Sequence, residues 1–131
     1  MNTAKTLELL QSEAAYARMC ELYGAEKAEE NIRRYGELVK KFRENFGEND
    51  ILMFSSPGRT EISGNHTDHN HGKVLAGSIN LDCVGIAAKN ESSKVNIISE
   101  TFQQKFTIDL NDLQPSDKKA GTVDLVKGLL K

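Results

Sequence analysis

Apolar residues recur every three or four positions up to Phe46 and then gather in short runs after Asp50, so the chain reads as helices followed by strands. Leu7, Leu10, Ala14 and Ala17 fall at helical spacing, and Tyr23-Gly24 supplies a stop. A second stripe, Ile32, Tyr35, Val39, Phe42 and Phe46, opposes Glu29, Glu30, Arg33, Lys40 and Glu44, with Gly47 just past its end. Gly36 inside that helix costs about 1 kcal/mol relative to alanine, which the stacked apolar positions outweigh. Both helices are expected to cover a core. A coiled coil would need sustained heptads, and the sequence has none.

After Asp50 the period changes. Ile51-Leu52-Met53-Phe54 suits a buried strand, and SSPGRTEISGNHTDHNHGK, residues 55–73, then carries almost nothing apolar. Pro57, Gly58, Gly64 and Gly72 punctuate it, so it reads as a long loop, and loops of that length in compact domains are usually functional or disordered. Strand signals return in VLAGSINL, DCVGIAAK, KVNIISE and QKFTIDL, with turn signals at Asn90-Glu91-Ser92-Ser93 and Glu100-Thr101. Residues 115–121 form a polar connector, and Val123, Val126 and Leu130 open a last helix. This order predicts an α+β fold, N-terminal helices followed by a mostly antiparallel sheet. The expected division is a helical segment, 1–48, and a domain, 49–131, with its loop at 57–73.

Composition narrows the class. The chain has 131 residues, 38% hydrophobic and 27% charged, which suits one globular domain better than disorder. Seventeen basic against nineteen acidic residues leave a formal net charge of −2, without the concentrated basic surface that nucleic acid requires. Glu8, Gln11, Glu13 and Arg18 interrupt the first twenty residues, so neither a signal peptide nor a membrane span is expected there. Cys20 and Cys83 have no metal-type spacing and are expected to be reduced thiols of a cytosolic protein. The glycosylation patterns at Asn65 and Asn90 carry no weight without secretion.

All three histidines, His66, His69 and His71, lie in the polar stretch with Asp68, and Arg59 stands upstream. Three readings follow. One is a polar surface loop. Another is a metal site, although the candidate ligands are crowded into one segment and no separated pair completes them. The third is recognition of a polyhydroxylated ligand. Aspartate accepts two hydroxyl hydrogen bonds, neutral histidine donates at one nitrogen and accepts at the other, and Asn65 does both. Arg59 can offset charge developing on a phosphoryl group. Gly72-Lys73 is followed by Val74, so no Walker-type phosphate loop is present, and no GxGxxG or nucleophile elbow occurs.

PGRTEISGNHTDHNHGKVLAGSINLD, Pro57 to Asp82, resembles the N-terminal motif of galactokinases, a branch of the GHMP small-molecule kinases. Gly58, Arg59, Gly64, His66, Thr67, Asp68, Gly72, Val74 and Leu75 match that motif in order and spacing. The resemblance implies the N-terminal half of the GHMP kinase (ribosomal protein S5 domain 2-like) fold and ATP-dependent phosphorylation of galactose to galactose 1-phosphate, with Mg2+, in the cytoplasm. It implies that Arg59 is the active-site arginine and that Asn65, His66 and Asp68 bind sugar hydroxyls. Where this chain has Asn65 the family usually has glutamate, a departure that bears on which sugar is taken. The family's phosphate loop and catalytic aspartate come later and have no counterpart here, so the chain is expected to be a fragment, inactive alone, whose partner is the C-terminal remainder of the kinase. Two alternatives stand beside it: a non-catalytic sugar sensor, and a kinase for a related hexose such as N-acetylgalactosamine.

Overall fold

The computed structural model describes residues 1–64, 71–115 and 121–131. Among them the elements run α1 Thr3–Leu9, α2 Glu13–Tyr23, α3 Ala25–Phe46, β1 Ile51–Ser63, β2 Leu75–Ala88, β3 Lys94–Ser99, β4 Gln104–Asp109 and α4 Thr122–Leu130. The strands form two antiparallel pairs, β1–β2 and β3–β4, so the α+β class holds. The chain divides into two compact units, Met1–Lys89 and Asn90–Lys131.

In the first unit the stripe read through Leu7 and Ala17 as one helix is broken. α1 ends before Leu10, and Ser12 caps α2 by accepting from the Ala15 N–H at 3.2 Å. The break resets the phase: Leu10, Met19 and Tyr23 are buried while Ala14 and Ala17 are exposed. Burying a methionine and a tyrosine removes far more apolar area from water than burying two alanines, and that decides which face turns inward.

The second stripe behaves as expected along most of its length. Ala28, Tyr35 and Val39 are buried, Ile32 and Phe42 pack beside them, and Gly47 ends α3 at φ 77° with its N–H on Arg43 O at 2.8 Å. Phe46 is 36% exposed, its ring 5.0 Å from that of Phe42. Gly36 faces Leu7 of α1, whose Cδ2 lies 4.0 Å from where a β-carbon would stand.

These helices lie on one face of the β1–β2 hairpin. Leu10, Met19, Tyr23, Ala28, Tyr35, Val39 and Ile51 form the core, with Met53, Val84, Ile86 and Ala88 packed against it from the strands. The chain start is tied to the same hairpin: Ile51 N–H donates to Met1 O at 2.8 Å and Thr3 N–H to Asn49 O at 3.2 Å.

The long loop expected from residue 55 begins later than its composition suggests. Pro57 to Ser63 belong to β1 and pair with β2, and the runs VLAGSINL and DCVGIAAK join in that one partner strand. A two-stranded ribbon pairs one edge of each strand across the ladder and leaves the other edge and the side chains in water, so it needs no apolar alternation. That is why polar composition concealed a strand.

In the second unit β3 pairs with β4 from Lys94↔Asp109 to Ser99↔Gln104. Its turn spans Glu100 to Gln103, as the signal at Glu100-Thr101 indicates, with Gln103 N–H on Glu100 O at 3.3 Å. Asn90–Ser93, read as a hairpin turn, instead forms a local turn in which Asn90 Oδ1 accepts from the Ser92 N–H at 3.0 Å. Ile108, 1% exposed, is the buried hydrophobic residue of this unit among the described residues. Among the described residues no helix is long and apolar enough to cross a membrane.

Candidate functional site

The hairpin changes character at Pro57↔Asp82. Below that pair the register is regular from Ile51↔Ala88 upward; above it Arg59 pairs with Ser78, so Ile79, Asn80 and Leu81 of β2 bulge opposite Gly58 alone. Gly58 suits the position because a β-carbon there would come within 3.2 Å of Ile79 Cδ1 and 3.3 Å of Leu81 O. Thr60↔Gly77 and Glu61↔Ala76 continue the ladder, and a second shift before Ser63↔Leu75 sets Ile62 out of register. Ile62 lies over Gly77, its Cδ1 3.5 Å from where a β-carbon would be.

The two strand ends meet in a tight neck. Gly64 has φ 87°, and a β-carbon on it would stand 2.3 Å from Lys73 O and 3.1 Å from Val74 Cα. Only glycine tolerates both the left-handed backbone and that approach. The chain leaves β1 at Gly64 and returns through His71, itself left-handed at φ 51°. Asn65, His66 and Asp68, the sequence-derived ligand candidates, lie outside the described residues, as does His69. Arg59 is described: it sits in β1 rather than in a loop, between the two register shifts, and is exposed. Period-2 alternation along β1 gives it the same parity as Ser55 and Pro57.

A second feature went unread in the sequence. The Asp82 side chain is 3% exposed and gathers donors from both layers. Arg34 Nη1 of α3 donates to Oδ1 at 2.6 Å, and Arg34 Nη2 donates to the Asp82 carbonyl at 3.0 Å. Tyr23 Oη of α2 and Ser55 Oγ of β1 each donate to Oδ2 at 2.5 Å, and the Tyr23 and Tyr35 hydroxyls are 2.7 Å apart. The available signal was an aspartate directly before the apolar run Cys83 to Ala88 and after Leu81. A carboxylate in such a place has to be paired, but no local rule says with what.

Burial opposes the Asp82 charge, yet the hydrogen bonds from Ser55, Tyr23 and Arg34 together outweigh it and hold the carboxyl below its ordinary value of 3.8. Burial first, and then the bond to Asp82, push the Tyr23 phenol above its ordinary 10.0. The linkage signs are opposite. Asp82 stabilises the fold above pH 3.8 and loses that contribution as pH falls through its lower folded value. Tyr23 stabilises it below pH 10.0 and loses that contribution as pH rises toward its higher folded value. Thermal unfolding followed by circular dichroism should therefore show a melting temperature that drops on acidification through the ordinary carboxylate range. The drop should be smaller in Asp82→Asn; an equal acid slope in both proteins would show that Asp82 is not its source.

Among the described residues no group of three or more His, Cys, Asp or Glu could hold a metal ion. Cys20 and Cys83 are free thiols.

Residues 40–89 match the galactokinase galactose-binding signature. That span covers the end of α3, both hairpin strands and everything between them. The chain is 35% identical over 101 residues to the galactokinase of Clostridium tetani, covering 77% of this chain and 26% of that protein. It is 38% identical over 104 residues to that of Lactococcus lactis subsp. lactis, with the same coverages. To that of Ligilactobacillus salivarius it is 40% identical over 92 residues, 69% of this chain and 24% of the relative. The chain thus spans about a quarter of the length of the curated relatives it matches. No solved structure matches it. The galactokinase resemblance drawn on Pro57 to Asp82 holds, and it extends well beyond those residues.

Proposed function

We propose, from a chain whose relatives are galactokinases, that it is the galactose-binding portion of a galactokinase-type sugar kinase. One observation supports this above all: the signature at 40–89 falls on the hairpin whose outer arm carries Arg59 and whose ends close at Gly64 and Lys73. In this reading Asp68 and His66 hold sugar hydroxyls, with Asn65 a further contact, and Asp68 is the strongest because a carboxylate makes charge-assisted bonds. Arg59, exposed on β1, offsets charge on the transferred phosphoryl group.

ATP would be the donor and Mg2+ its counter-ion in the complete enzyme. The described residues provide no carboxylate cluster for the ion, and no step is assigned to it in this chain. We assign the chain to the N-terminal half of the GHMP kinase fold, in the cytoplasm. The remainder of the kinase is its partner, and the chain alone is expected not to turn over, since transfer requires both substrates to be positioned together. Asn65 favours a second reading, a kinase for a related hexose such as N-acetylgalactosamine. It replaces a charged acceptor with an amide that also donates, which suits a different substituent on the ring.

Calorimetric titration of the purified chain with galactose, glucose and N-acetylgalactosamine tests the assignment. Galactose should bind and glucose should not. Preference for N-acetylgalactosamine would select the second reading, and no heat with any of the three would overturn both.

A further inference from the structure

Apolar packing fixes only the inner part of the hairpin. Ile51 is 4% exposed, and Met53, Val84, Ile86 and Ala88 pack against the helices. Beyond Pro57↔Asp82 no described residue of the arm is buried: Arg59 to Ser63, Leu75 and Ala76 are all exposed. Asp82 is therefore the last point at which the helical layer grips the hairpin, and it lies beside the register shift from which the outer arm departs.

We propose that Asp82, held by Arg34, Tyr23 and Ser55, is a positioning residue that fixes the outer arm, and Arg59 within it, relative to α2 and α3. The geometry suits that role. Arg34 grips both the side chain and the backbone carbonyl of Asp82, so the guanidinium sets the residue's orientation as well as its location. Tyr23 is the last residue of α2, and its hydroxyl is shared between Asp82 and Tyr35 of α3, so both helices bear on one carboxylate. Ser55 closes the set from the neighbouring strand. Tyr23 and Arg34 lie outside the signature at 40–89, and Asp82 lies inside it. The grip thus joins an N-terminal helical layer to the hairpin that carries the signature. A carboxylate in this place is not needed for packing alone, since an apolar residue would fill it without the cost of burying charge.

The test compares Asp82→Asn with Val39→Ala, a core truncation remote from the hairpin's outer arm. Amide hydrogen exchange is read by mass spectrometry on the 131-residue chain. In Asp82→Asn the amides of Arg59 to Ser63 should exchange about tenfold faster, while those of Ile51 to Phe54 keep their protection. Val39→Ala should not single out the outer arm. Galactose affinity should fall about tenfold in Asp82→Asn and stay near the original in Val39→Ala. Should Asp82→Asn fail to fold, Tyr23→Phe, which keeps the charge pair and removes the hydroxyl bonded to Asp82 and Tyr35, should show the same pattern at about threefold. Wild-type exchange at Arg59 to Ser63 in the variant that folds, or acceleration matched by Val39→Ala, would overturn the proposal. The affinity readout rests on the galactose reading and the exchange readout does not, so wild-type protein that binds no galactose condemns that reading while exchange still decides the role of Asp82.

Discussion

Gly64→Ala is expected to disorder the end of the hairpin and to lower stability by about 2–5 kcal/mol, the sum of a left-handed backbone and a clash with main-chain atoms. At φ 87° the substitution strains the backbone, and its β-carbon would fall 2.3 Å from Lys73 O. The obstacle is a carbonyl rather than a flexible side chain, so the neck must open and Ser63↔Leu75 is the first pair to be lost. Gly47→Ala is the matched control. Its φ is 77°, but nothing lies within 4 Å of the added carbon, so it carries the strain alone, about 1–3 kcal/mol. Thermal unfolding of the two variants separates the terms. Equal losses would mean that the neck relaxes freely and that the close approach at Gly64 is not a constraint.

Asp68→Ala is expected to reduce galactose affinity about ten- to a hundredfold, since a hydrogen bond to a charged group contributes about 1.5–3 kcal/mol. Asp68→Asn keeps an acceptor but loses the charge and should fall between the two. Titration calorimetry reads the affinities, and the melting temperature serves as a control that the hairpin is intact. Unchanged affinity in Asp68→Ala would remove the central ligand of the proposed site and, with it, the main chemical support for sugar binding. The pairing of these experiments is informative because Gly64 and Asp68 are four positions apart. One tests the frame through which the segment is delivered, the other the chemistry it delivers.

Much of the chain could be read locally. The stripe Ile32–Phe46 with Gly47 behind it specified α3, because a helix buries one face at its own period and glycine relieves the end. The ordered glycines, arginine, histidine and aspartate between Pro57 and Asp82 were enough to identify the relatives. Other features were settled by residues distant in sequence. β1 extends through Ser63 because β2 supplies hydrogen-bond partners to a polar segment, which no hydropathy pattern records. The inward face of α2 was chosen by Met19 and Tyr23 finding a core, not by Ala14 and Ala17 keeping a period. Asp82 shows the division best. Its neighbours Leu81, Cys83 and Val84 mark it as a charge beside apolar residues, and only folding brings Arg34, Tyr23 and Ser55 to it. Short-range sterics and amphipathic period act between neighbours and are written in the chain; the pairing of a buried charge is made across layers and exists only once they have packed.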